Sequence, residues 1–365
     1  MSEWKEYKLG DCVEAIIDNR GKSAPAKQTG MFPLLEINSI GGYYPNYSVV
    51  RKYVDEITYK NWFRSGHPAS GDILIPTVGT IGIISIMDNT QACIAQNIIA
   101  LRIKKDISNV FIYYYLKSPI VKKELLNLDI GGVQPSIKVP HLLNLSISLP
   151  PKEVQNNIAL ILSLLDDKID LLRRENATLE TMAETLFRQW FVVEVKEEWE
   201  EGKLGDLIEV KYGKDHKKLM DGNMPVFGSG GVMRYADTAL YSKESVLIPR
   251  KGSLNNVMYI NEPFWTVDTM FYTVMRRPNV AKYVYHLVKA LDLANMNVGS
   301  AVPSMTTEVL NNIPIDIPPQ TVFDRFENAV SSAYSKIQAN NKQIQTLIQT
   351  RDGLLPRLMS GEINI

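Results

Sequence analysis

The sequence predicts an α/β (α+β) protein made twice over. Two mixed α/β domains are separated by two long helices that pair as an antiparallel coiled coil, with an approximate internal two-fold. Three observations predict this. "ILIPTVGTIGI" at 73–83 returns as "VLIPRKGSLNN" at 246–256, 173 positions later. "EWKEYKLGDCVE" at 3–14 returns as "EWEEGKLGDLIE" at 198–209, and "GGVQPSI" at 131–137 as "GSAVPSM" at 299–305. From Ile130 and Val298 onward the offset holds at 168 residues as far as Leu186 and Leu354, and that stretch carries the same helical register in both copies. A period this long is a duplicated domain pair and not a solenoid.

The bounds are those of an ordinary globular chain. At 365 residues, two or more domains are expected, each with its own core. No apolar run approaches the roughly 20 residues of a membrane span, and "MSEWKEYKLG" has no apolar secretory core. The two cysteines, Cys12 and Cys93, sit in apolar settings and read as buried, reduced thiols. A cytoplasmic protein fits these features. Net charge is zero, which argues against simple polyanion binding, yet between 203 and 291 there are 13 Lys/Arg against 8 Asp/Glu.

The first domain, 1–151, alternates short β-rich runs ("GDILIPTVG", "IGIISIMD", "QNIIALRIKK") with Gly/Asn/Ser turns, and holds one apolar-aromatic helix, "VFIYYYLKS" at 110–118. The tyrosines of that helix are expected to pack rather than to stack on bases. A spacer follows at 152–195. Its helix should start after Pro150 and Pro151, where proline costs no hydrogen bond, and run through Phe191 for about 40 residues, roughly 60 Å. Its seam residues, Ile158, Leu162, Leu165, Ile169, Leu172, Asn176, Leu179, Ala183, Leu186 and Trp190, alternate steps of four and three without a break, as in a coiled coil.

The second domain, 196–319, repeats the plan with "SVLIPRKG", "VMYIN" and the helix "AKYVYHLVKAL" at 281–291. A second spacer, 320–365, opens after Pro318 and Pro319. Its seam is Phe326, Val330, Ala333, Ile337, Asn340, Ile344, Leu347, Arg351, Leu354 and Leu358, and Leu355–Pro356 is expected to bend or end the helix. An Asn in an apolar seam, as at Asn176 and Asn340, either demands a polar partner and fixes register or lies partly exposed at a crossing. Each seam must be covered by another helix. Pairing with each other would carry the two domains to opposite ends of a rod.

The loops are where function is expected. Asn, Gln, Ser, Thr, Arg and Lys read base edges and hold phosphates, and glycine lets a backbone come close. The candidate DNA contacts in the first domain are Lys22, Asn38, Ser39, Thr77, Thr80, Gln134 and Ser136. In the second they are Lys214, Lys217, Ser229, Arg250, Lys251, Ser253, Asn255 and Ser304. Any one of these could belong to a plain turn, and the basic run "KYGKDHKK" at 211–218 to a solvated loop. Recurrence of one loop with different polar residues favours two sites of one kind with different specificities.

Chemistry is not legible in this chain. "RGKS" at 20–23 has Ile16 where a phosphate loop needs glycine, so it is rejected. No Asp/Asn-Pro-Pro-aromatic methyltransferase motif occurs, and His67, His141, His216 and His286 lack ligand spacing, so no metal site is proposed.

These residues carry a resemblance. "IIDNRGKSAP" (16–25), "LLDDKIDLLRRENATLETMAETLFRQWFV" (164–192), "PVFGSGGVM" (225–233), "VLIPRKGSLNNVMYINEPFWTVDTMFY" (246–272) and "LLPRLMSGEI" (354–363) resemble the specificity subunit of type I restriction–modification enzymes. The resemblance covers essentially the whole chain. It implies two target-recognition domains, each reading half of a split double-stranded DNA sequence, and spacer helices that set half-site distance and dock the modification subunits, two of them. Those partners would bind S-adenosylmethionine and methylate adenine, and a restriction subunit would use ATP to translocate and cut. None of that chemistry, and no cofactor, would belong to this chain. Neutral charge departs from the pattern of a basic DNA binder and implies binding shared with partners. The alternatives are a stand-alone adenine methyltransferase, tested by cofactor binding, and a protein-only coiled-coil scaffold, tested by salt-titrated DNA binding.

Overall fold

The computed structural model describes residues 4–80, 82–127, 136–296, 304–363 and 365. They form two compact units: Met1–Arg173 with Asn341–Ile365, and Arg174–Asn340.

The strands of the first unit are β1 (Lys5–Lys8), β2 (Val13–Asp18), β3 (Phe32–Leu35), β4 (Tyr53–Val54), β5 (Ile73–Pro76), β6 (Ser85–Ile86), β7 (Cys93–Ile94), β8 (Ile98–Ile103) and β9 (Ser146–Leu149). They make an antiparallel sheet in the order β2-β8-β5-β6, a small sheet β4-β3-β7 whose β3–β7 pair is parallel, and the antiparallel pair β1-β9. The strands of the second unit are β10 (Glu200–Lys203), β11 (Ile208–Tyr212), β12 (Asp221–Gly228), β13 (Gly231–Ala236), β14 (Ser245–Pro249), β15 (Met258–Ile260), β16 (Trp265–Thr266), β17 (Met270–Met275) and β18 (Pro314–Ile317). Their order is β11-β17-β14-β15, β13-β12-β16 with β12–β16 parallel, and β10-β18. The duplication read in the sequence is therefore a duplication of topology. The "LIP" phrases are β5 and β14, buried along their whole length, which is why they read as continuous apolar runs and not as alternation.

A short helix packs against each main sheet, Asn109–Lys117 in the first unit and Ala281–Ala290 in the second. Tyr113, Tyr114, Tyr283 and Tyr285 on these helices are buried, as expected of packing residues. Cys12 and Cys93 are also buried and unpaired.

The long helices span Lys152–Arg188, followed by a wider π turn at Gln189–Val193, and Gln320–Met359. Their seams meet antiparallel within each unit. In the first, Ile158 and Leu162 share a core with Leu355 and Leu358, and Ile169 and Leu172 with Ile344 and Leu347. In the second, Ala183 and Phe187 share a core with Phe326, Val330 and Tyr334. Ile337 is buried, while Leu165 and Leu179 are only half-buried.

Three expectations need correction. The second helix does not end at Pro356 but runs on to Met359, because a proline this near the C-terminus gives up one donor in a turn that is about to stop. Tyr334 and Leu355 are more deeply buried than the expected seam residues Ala333 and Leu354. Tyr334 is drawn in because the domain helix Ala281–Ala290 covers that flank as well, and the Tyr334 hydroxyl bonds His286 Nε2 at 2.8 Å. Leu355 follows from the drift of a 3.6-residue helix against a 3.5-residue repeat.

Asn340 is buried, and its Nδ2 donates to Asn176 Oδ1 at 2.8 Å and to Glu175 Oε2 at 2.9 Å. The two seam asparagines thus partner each other, which favours a single register. A second polar contact was not anticipated: Asp166, 3% exposed, pairs with Arg351 and accepts from the Tyr114 hydroxyl at 2.7 Å. This ties the domain helix to both long helices of the first unit. Removing one member of such a buried pair costs about 3–5 kcal/mol, because the other charge is left largely uncompensated away from water.

Candidate nucleic-acid interface

In each unit the loop after the buried "LIP" strand is held by the same backbone bonds. Thr77 N donates to the Asn97 carbonyl at 2.9 Å, and the Thr77 carbonyl accepts from Ile137 N at 2.9 Å. In the second unit Arg250 N donates to the Thr269 carbonyl at 2.8 Å, and the Arg250 carbonyl accepts from Met305 N at 2.9 Å. The next residues form matching bridges, Val78 with Ser136 and Lys251 with Ser304. Gly79 and Gly252 then take φ of +83° and +85°, a region that disfavours a Cβ, and at Gly252 a Cβ would also lie 2.7 Å from Ser229 Oγ. One backbone frame therefore presents two different sets of side chains.

In the first unit Lys22 is exposed, has no ion pair with a described residue, and lines a cleft of about 440 Å³ with Asn19, Trp62, Arg64 and Gln96. Arg20, on the same rim, is gripped by both oxygens of Asp18 at 2.6–3.0 Å, which lowers the Asp18 pKa. Asn38, Thr80 and Ser136 lie on segments around the Gly79 loop, and Asn38 and Thr80 are exposed. Two expected contacts fail. Ser39 is 1% exposed and its hydroxyl donates to the Glu36 carbonyl at 2.6 Å. Thr77 is 4% exposed and its hydroxyl donates to the Asn97 carbonyl at 3.2 Å. Both hydroxyls close their own turns, a use that loop sequences do not distinguish from ligand binding. Gln134 lies outside the described residues.

The second unit concentrates the expected residues. Lys217 and Ser229 line a cleft of about 650 Å³ with Asp215, His216, Met233 and Asp268. Lys214 N donates to the Thr266 carbonyl at 2.9 Å, and Asn256 Nδ2 donates to the Ser229 carbonyl at 2.8 Å, so the loops at 211–218, 228–230 and 250–256 converge. Arg250 borders the cleft through a bond from Nη1 to the Asp268 carbonyl at 3.3 Å. Lys214, Lys217, Lys251 and Ser253 are exposed. None of Lys214, Lys217, Lys218, Arg250 and Lys251 is ion-paired with a described residue. Asn255 is committed to the segment that follows the helix Ala281–Ala290, donating to Asp292 and accepting from the Ala294 N–H. Hairpin β12–β13 adds exposed Val232, Met233 and Tyr235, apolar surface of the kind that meets thymine methyls.

Gln96 and Asp268 were missed, although a signal existed: "CIAQNIIALRI" and "WTVDTMFYTVM" align residue for residue at an offset of 172 and place these two at one position. Tyr212 was missed because nothing local marks it.

A family model described as the type I restriction modification DNA specificity domain matches residues 1–181 and 196–346. The chain is similar to the type I restriction enzyme MjaIX specificity subunit of Methanocaldococcus jannaschii, 26% identical over 340 residues, covering 81% of this chain and 78% of the relative. The HindI specificity subunit of Haemophilus influenzae is 21% identical over 343 residues, covering 64% and 72%. Among solved structures, the S subunit of a type I restriction-modification system from M. genitalium shares the fold at a TM-score of 0.63 and 17% identity, over 98% of this chain and 96% of that one.

Proposed function

The chain belongs to the type I restriction modification DNA specificity family, and from that premise we propose that its two units each read one half of a bipartite double-stranded DNA target. Its role is DNA sequence specificity, and it is a non-catalytic subunit. We assign 1–151 and 196–319 as recognition domains and 152–195 and 320–365 as spacer helices. The observation that carries the proposal is the repeated loop frame with unlike side chains, Val78 and Thr80 in one copy and Arg250, Lys251 and Ser253 in the other. A shared backbone gives both domains one mode of approach, and the exchanged side chains give each its own sequence.

The spacer helices also offer a face to partners. The seam residues are used up inside each unit, but Leu160, Leu164 and Leu171 are 57, 59 and 49% exposed. At about 100° per residue they fall within about 40° of one another, on the side of the helix away from the seam. We assign this stripe to docking of the adenine-methylating subunits, two for a chain with two equivalent units. S-adenosylmethionine is then bound by those partners, and ATP by a restriction subunit. The chain acts with them on DNA in the cytoplasm.

Reconstituted with its methylating subunit, the chain should direct adenine methylation to a split sequence. Replacing 196–319 by the same region of a relative should change one half-site and leave the other intact. Methylation indifferent to that exchange, or a change in both half-sites, would sink the proposal.

A further inference from the structure

Resting on the reading above, we infer that Arg250 reads a guanine in the half-site of the second unit and that Tyr212 is its positioning residue. Five cations on the converging loops at 211–218 and 250–256 lack an ion pair with a described residue, and of these only the Arg250 side chain has a described contact. The side chains of Lys214, Lys217, Lys218 and Lys251 are exposed, with no described contact to orient them. Exposed point charges of this kind suit phosphates, which need proximity and little geometry.

Arg250 is built in. Its backbone is fixed on both sides by bonds to Thr269 and Met305. Its guanidinium carbon lies 5.4 Å from the centre of the Tyr212 ring, and its Nη1 donates to the Asp268 carbonyl. The Tyr212 ring is set edge-on against the fully buried Phe271, with centroids 5.1 Å apart at 70°, so a line of contacts runs from the core to the guanidinium. Nε and Nη2 make no hydrogen bond, and the guanidinium no ion pair, with a described residue. What remains is a planar, pre-aimed pair of donors. That matches the adjacent O6 and N7 acceptors of guanine in the major groove, the pairing that arginine satisfies bidentately. The first unit has no such reader at this place, because Thr77 closes its own turn.

The test maps methylation by the complete methylating complex on a library randomised in the second half-site. The wild-type complex is scored first: absence of a bipartite target there defeats the broader reading, and this inference with it. Given such a target, one G·C position should depend on Arg250. Arg250→Ala should relax that position alone, by roughly 5- to 150-fold in discrimination. Arg250→Lys, which keeps the charge but not the fork, should relax the same position. Tyr212→Phe should behave as wild type, whereas Tyr212→Ala should lose roughly two- to five-fold at that position, the worth of an exposed cation–π contact. A uniform fall in methylation with an unchanged sequence profile and a flatter salt dependence would make Arg250 a phosphate contact and overturn the inference. An unchanged profile, or relaxation at an A·T position, would overturn it equally.

Discussion

His286 shows at the scale of one residue how burial decides charge. It is packed among Phe187, Phe326 and Tyr334, bonds Tyr334 through Nε2, and has no hydrogen-bond partner at Nδ1 among the described residues. Burial, with Lys289 adding a like charge, lowers its pKa from 6.5 to about 4. Lys289 itself is held by Glu180 and the Tyr285 hydroxyl. The folded state therefore resists a proton that the unfolded chain accepts near pH 6.5. Stability is whole above that pH and falls as pH drops toward about 4, by roughly 1.4 kcal/mol per unit for a fully buried site. Denaturant midpoints of the second unit should decline between pH 6.5 and 5, above the carboxylate range, and His286→Gln should flatten that decline. Equal slopes in the two proteins would show that His286 is not the group responsible. Ser39 and Thr77 teach a related lesson: a polar loop residue is a ligand only if its own turn has not already claimed it.

At the scale of elements, the helix Lys152–Arg188 has two faces, a seam and the opposite stripe proposed to dock a partner. The seam face is buried, and periodicity reveals it. The opposite face matters because leucines stand where a solvated helix would carry charge, and heptad counting passes over them. Leu160→Asp with Leu164→Asp should leave folding within about 0.5 kcal/mol of wild type, as for exposed positions without partners. The same change should weaken co-purification with the methylating subunit roughly tenfold or more. Leu162→Asp, two residues away but facing inward, should instead unfold the first unit. Circular dichroism melts and pull-down together decide this. Retained partner binding by the folded double variant would free the stripe of its assigned role.

For the whole molecule, the helices are proposed to set the distance between half-sites. A lengthening experiment must respect the pairing within each unit, since an insertion in one helix alone would pull Asn176 away from Asn340. Seven residues placed after Arg173 and seven after Asn340 keep both seams in phase to within about 20° and add roughly 10 Å. At roughly 3.4 Å per base pair this predicts a spacer longer by about three base pairs, with both half-sites unchanged in methylation mapping. An unchanged spacer in an active complex would remove the helices as the ruler. Zero net charge belongs to this scale too, because under the proposed function a few local cations would leave much of the DNA affinity to the assembled complex.

The order of residues along the chain was enough to reveal the duplication, the two long helices with their proline starts, the buried "LIP" strands and the family. All of these are written in local periodicity or in long matching phrases, so no partner in space is needed to see them. The frame of the candidate interface was legible for the same reason, as a loop repeated twice. Only the folded chain decided which side chains face one another. Asp166 finds Arg351 at a separation of 185 residues, Asn176 finds Asn340 at 164, and Tyr212 comes to lie under Arg250. It also decided which polar side chains were exposed, closing the Ser39 and Thr77 hydroxyls onto carbonyls and leaving Asn38 and Thr80 in solvent. The physical reason is that a side chain's availability depends on its burial and on bonds already made, and both are set by residues far away in the chain.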